Sequence, residues 1–112
     1  MECDMYHIIV YAPPDVSNLI RSEMAKAGAG HIGNYDNCSF SCKGKGRFRP
    51  LIGATPAIGT EGQIEEVDEE RIEAAVTPDK ISDVIEALKK AHPYEEPAIH
   101  VLPMFDYKNF KS

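Results

Sequence analysis

The sequence predicts an α+β fold, a ferredoxin-like βαββαβ sandwich with an antiparallel sheet and both helices on one face. Three observations predict it. Apolar periodicity alternates between extended and helical in the order strand, helix, strand, strand, helix, strand. Both helical stretches open on a proline followed by an aspartate, Pro14-Asp15 and Pro78-Asp79. The length of 112 residues suits one domain, read as residues 1–112 with a core at about 4–104 and a tail at 105–112. Two right-handed crossovers interleaved in one sheet give this arrangement.

Residues 5–12 are β-branched and aromatic and read as a buried strand. Pro13-Pro14-Asp15 stops it and opens a helix whose apolar face carries Val16, Leu19, Ile20, Met24 and Ala27. Gly28 and Gly30 end that helix. Residues 31–37 are turn chemistry. Residues 38–49 read as extended, interrupted by Gly44 and Gly46, and residues 51–63 as a long loop rich in Gly, Pro, Ala and Thr. Residues 64–76 are extended and acidic. Thr77-Pro78-Asp79 then starts a helix with a capping hydroxyl, a proline and an acid. Ile81, Val84, Ile85 and Leu88 form its apolar stripe, and Lys89 and Lys90 suit its negative end. His92-Pro93 breaks the helix, residues 98–104 form the last strand, and the polar-aromatic tail is expected to be loosely held.

Composition narrows function. The chain is 43% hydrophobic and 27% charged, an ordinary globular balance. No apolar run approaches the ~20 residues that cross a bilayer, so no membrane partner is expected. The start, Met1-Glu2-Cys3-Asp4, lacks the basic opening of an export signal, so the cytoplasm is the expected compartment. A net charge of −6 opposes nucleic acid as a partner. Three cysteines, Cys3, Cys38 and Cys42, read as reduced thiols, with Cys38 and Cys42 buried on the Phe40 face of a strand.

Two clusters could carry chemistry. Lys43, Lys45, Arg47 and Arg49 alternate with Gly44, Gly46 and Phe48, so an extended chain places four cations on one side, ~6.6 Å apart. They either pair with the acids of residues 65–73 on the next strand or form an anion site beside glycine amides. The second cluster is His92-Pro93-Tyr94-Glu95-Glu96-Pro97. His92, Glu95, Glu96 and His31 are the candidate ligands for a divalent metal. The loop holding His31 is expected to reach the same end of the sheet or to be met across a subunit interface. In an extended chain Glu95 and Glu96 face opposite ways, so one of the two serves the site. The rival is a plain helix-to-strand connection, locked by Tyr94. No nucleophile elbow or His-Glu-x-x-His helix is present, and no catalytic residue is assigned.

Several blocks together resemble a known family. Gly33-Asn34-Tyr35-Asp36-Asn37-Cys38-Ser39-Phe40, Gly44-Lys45-Gly46-Arg47-Phe48-Arg49-Pro50, Gly53-Ala54-Thr55-Pro56-Ala57-Ile58-Gly59, Glu69-Glu70-Arg71-Ile72-Glu73 and His92-Pro93-Tyr94-Glu95-Glu96-Pro97-Ala98 run in order. They are similar to the inserted domain of YqfO-type, Nif-three-like proteins, and this chain resembles that insert alone. The resemblance implies a CutA/PII-like fold and hence a homo-oligomer, with a trimer favoured. Full-length members hold two metal ions in an outer domain whose ligands have no counterparts here, so their hydrolase activity is not carried over. The expected function is a non-catalytic oligomeric binding or regulatory module, its cofactor unassigned unless a divalent metal. Alternatives are a divalent-metal-binding protein using residues 92–97 and a subunit of an enzyme completed by a protein partner.

Overall fold

The computed structural model describes residues 3–110; Met1, Glu2, Lys111 and Ser112 lie outside the described residues. Strand β1 (Met5–Ala12) leads through a 3-10 turn (Pro14–Val16) into helix α1 (Ser17–Lys26). Strands β2 (Phe40–Phe48) and β3 (Glu65–Val76) follow, then a second 3-10 turn (Pro78–Lys80), helix α2 (Ile81–Ala91) and strand β4 (Ile99–Met104). The sheet order is β2-β3-β1-β4, with every neighbouring pair antiparallel. This is the ferredoxin-like arrangement that the sequence predicts.

The core follows the two periodicities. Ile8, Val10 and Ala12 of β1 alternate with Ile72, Ala74 and Val76 of β3 on one sheet face, against Ile20 and Met24 of α1 and Val84 and Leu88 of α2. Burying each large member is worth about 1.5–3 kcal/mol. Leu19 departs from the expected helical face: it is 48% exposed, because the buried stripe runs through Ser17, Ile20 and Met24 instead. Thr77 also departs from expectation. Its side chain makes no capping bond; the Lys80 N–H closes the turn on the Thr77 carbonyl at 3.0 Å.

Gly30 joins the turn after α1 to the sheet. Its N–H donates to Ala75 O at 2.7 Å, its φ is +80°, and the Cys38 carbonyl lies where a Cβ would stand. Cys38 therefore belongs to this turn and precedes β2. Cys42 is exposed, and Phe40 beside it is 65% exposed. The expected burial on the Phe40 face fails for Cys42 because β2 is an edge strand and that face carries no helix, and for Cys38, which is half-buried, because it lies before the strand.

The hairpin outgrows the sheet. Strand β1 pairs only with residues 70–76 of β3, so residues 65–69 and their β2 partners 44–48 project as a two-stranded arm. The arm helps to stretch the molecule to 52 × 26 × 24 Å. At its tip the Gly62 N–H bonds to Pro50 O at 2.7 Å and closes the base of the long loop. After β4 the chain enters a 3-10 turn (Tyr107–Asn109), where Asp106 accepts from the Lys108 N–H and donates its own N–H to Asp4. Residues 105–110 are thus tied to the N-terminal segment. No helix among the described residues is long and apolar enough to cross a membrane.

Candidate functional site

The helix-to-strand connection is built around His92. Pro93 bars the helical region to the residue before it, and His92 takes φ −76°, ψ 131°. The chain turns there, and the imidazole swings under the end of the sheet, only 6% exposed. Its Nε2 lies 2.6 Å from the Tyr11 carbonyl, and its Nδ1 lies 3.2 Å from the Tyr94 N–H. A carbonyl only accepts and an N–H only donates, so the ring is protonated at Nε2 and accepts at Nδ1. Both nitrogens are occupied. The expectation that His92 ligates a metal is corrected: it has no free lone pair and serves as a structural lock.

His31 does not join it. His31 follows Gly30, which is bonded to Ala75, the partner of His7 on β1; His92 is bonded to Tyr11. His7 and Tyr11 are separated by ~13 Å along the strand. The two histidines belong to opposite ends of the sheet, because α1 runs back along β1 before delivering His31. Among the described residues no cluster of three or more His, Cys, Asp or Glu side chains can hold a metal ion. His7 pairs with Glu73 at 2.8 Å, and the His100 ring meets Tyr11 edge-on at 5.8 Å.

Glu95 and Glu96 depart from the expected opposition. Residues 94–96 form a bend, so both acids border one groove. Glu95 Oε1 accepts from the Thr55 N–H at 2.9 Å and ties the long loop to the connection. The groove, about 410 Å³, lies between the arm, that loop and residues 94–98. Phe48, Pro56, Ile58 and Ala98 give it apolar walls. The Tyr94 ring stands 4.8 Å from His92 and 6.3 Å from Phe48, centroid to centroid.

Glu69 also borders the groove, with its carboxylate folded across Gly46, where a Cβ would collide with it. Burial pushes the Glu69 carboxyl above its usual range. The Tyr94 phenol is pushed up as well, first by burial, then by Glu69 and Asp15. The Tyr94 hydroxyl oxygen is buried with no hydrogen-bond partner among the described residues. Sequence reasoning missed Glu69 as a site residue, since it lies within a run of acids that differ only in their surroundings.

The cationic stripe divides. Lys45 pairs with Asp68, and Arg47 with Glu66 at 2.8 Å, directly across the strands. Lys45 is raised and Asp68 lowered by their mutual hydrogen bond. Lys43 stands opposite Glu70, but Arg21 takes that carboxylate at 2.9 Å and also reaches Ser41. Arg49 lies past the end of β2 and borders the groove. The four cations therefore do not converge on one anion site: the register commits Lys45 and Arg47 to the neighbouring acids.

Residues 59–110 match the family described as CutA1 divalent ion tolerance protein. Over 100 residues the chain is 43% identical to a GTP cyclohydrolase 1 type 2 homolog of Halalkalibacterium halodurans, covering 89% of this chain and 27% of that protein. The crystal structure of a Bacillus cereus protein related to NIF3 superposes with a TM-score of 0.79 at 39% identity, over 93% of this chain and 27% of that one. The periplasmic divalent cation tolerance protein CutA of Archaeoglobus fulgidus shares the fold, with a TM-score of 0.65 at 20% identity, over 89% and 83% of the two chains. The chain spans about a quarter of the length of the curated relatives it matches.

Proposed function

We propose that this chain, which is related to one domain of the NIF3-related proteins and has the fold of CutA, is a non-catalytic binding or regulatory module that works as a homo-oligomer. The observation that carries the reading is the groove itself. It has apolar walls bordered by a few charged groups, Glu69, Glu96 and Arg49, and its outer rim is a loop held to the Glu95 side chain by one bond. Ligand sites combine an apolar lining with a few placed polar groups in this way.

The uncovered sheet face supports assembly. Phe40 and Leu102 are 65% and 49% exposed on the side away from the helices. A trimer is the favoured form, on the resemblance to CutA/PII proteins. Sedimentation equilibrium tests it: a mass of three chains is expected, and a monomer at every concentration would overturn the oligomeric reading. Binding is tested separately by Tyr94→Ala. Removing the ring that borders the groove should weaken ligand affinity there while leaving the sedimenting mass unchanged.

A further inference from the structure

The groove is asymmetric in charge. Glu69, Glu95 and Glu96 border it, against Arg47 and Arg49. Arg47 is already engaged by Glu66, which leaves Arg49 as the one lining cation without an ion-pair partner among the described residues. Glu69 has neither a hydrogen-bond donor nor an ion-pair partner among the described residues, and it lies beside the tilted rings of Phe48 and Tyr94. A carboxylate held partly out of water without a partner favours an arriving positive charge. Aromatic faces favour the same charge through their quadrupoles.

An inorganic divalent cation fits poorly, because it needs several convergent donors and no such cluster exists among the described residues. The apolar walls ask for a ligand with a body as well as a charge. We propose that the groove binds a small organic cation, an amine or guanidine carried on an apolar or flat body, with its charged head on Glu69 and its body against Phe48, Tyr94 and Ile58. The proposal rests on the reading of the groove as the binding site. The Thr55-to-Glu95 bond holds the loop over the body.

The test is an amide NMR titration of the whole chain at pH 7 with two matched probes, phenethylammonium and phenylpropionate. Phenethylammonium should shift the amides of Gly46, Glu69, Tyr94 and Ala57 together, and phenylpropionate should leave them unmoved. Glu69→Gln should weaken phenethylammonium about tenfold, the effect of losing one charge-assisted hydrogen bond. Arg49→Gln should keep or strengthen its binding. Because Glu69→Gln removes a charge held partly out of water, the variant is expected to fold at least as well as the parent. Unchanged affinity in Glu69→Gln overturns the proposal. If phenylpropionate moves the same amides more strongly, the cation class is wrong while the groove remains the site. If neither probe moves them, both readings fall.

Discussion

Glu69 and Glu70 are adjacent in sequence and opposite in physical chemistry. Glu69 turns to the helix-free face, where burial raises its carboxyl. Glu70 turns to the helix side, where hydrogen bonds from Arg21 and then Ser17 lower its carboxyl. The signs of the pH effects follow by linkage. A raised folded-state pKa means that Glu69 stabilises best below its unfolded pKa and loses that advantage as pH rises through the folded value. Glu69→Gln should therefore raise the melting temperature at pH 7, with the gain vanishing near pH 4. A lowered folded-state pKa means that Glu70 contributes above its unfolded pKa and loses that contribution as pH falls through the folded one. Glu70→Gln should cost about 1 kcal/mol at pH 7 and much less in acid. Thermal melts of both variants across pH check the pair, and parallel profiles would refute the assignment. His92→Ala should cost about 2 kcal/mol by orphaning the Tyr11 carbonyl, measured by urea denaturation. The sequence shows the density of polar groups in residues 92–97 but not their partners. The His92 lock depends on Tyr11, 81 positions away, and no local pattern encodes that contact.

The regular elements were legible because their periods are strong. The bounds of β1, and the order of all four strands and both helices, match the sequence reading closely. What was illegible is how far the β2–β3 hairpin outgrows the sheet and which face each of its side chains takes. A register is a long-range quantity: Lys45 meets Asp68 across 23 positions, and a slip of one residue would send every side chain to the other face. The same register places Gly46 under Glu69. Its backbone needs no glycine, since its φ is not positive. Replacing glycine by alanine within a strand ordinarily helps by roughly 0.5–1 kcal/mol. Gly46→Ala should therefore fold as stably as the parent or better, yet push the Glu69 carboxylate aside and weaken phenethylammonium binding. Melting temperature and amide titration read the two effects separately. A large loss of stability would mean that Glu69 cannot swing away and that the arm is rigid at this point.

At the scale of the whole molecule, charge decides what the surface accepts. The chain carries 12 basic and 18 acidic side chains, for a net charge of −6. In sequence the basic stripe of β2 reads either as the partner of the acidic next strand or as an anion site, and the fold lays it against that acidic neighbour. Lys45 and Arg47 are paired across the strands and Arg21 is held by Glu70, so among the described residues Lys43 and Arg49 are the members of the stripe left to meet a phosphate. Each phosphate neutralised by a protein cation contributes a slope of about −0.9 to the logarithmic salt dependence. Two such contacts give a slope of about −2, too shallow for useful affinity at physiological salt, while the surplus acids repel the backbone at longer range. Duplex DNA should therefore give no gel shift at ~150 mM salt, and only a weak one with that shallow slope as salt is lowered. Reversing both Asp68 and Glu66 to lysine would free the stripe and remove its counter-charges. That double variant should gain DNA binding with a steeper salt dependence. A parent protein that already binds at ~150 mM salt with a steep slope would show that the cross-strand pairs open readily in solution.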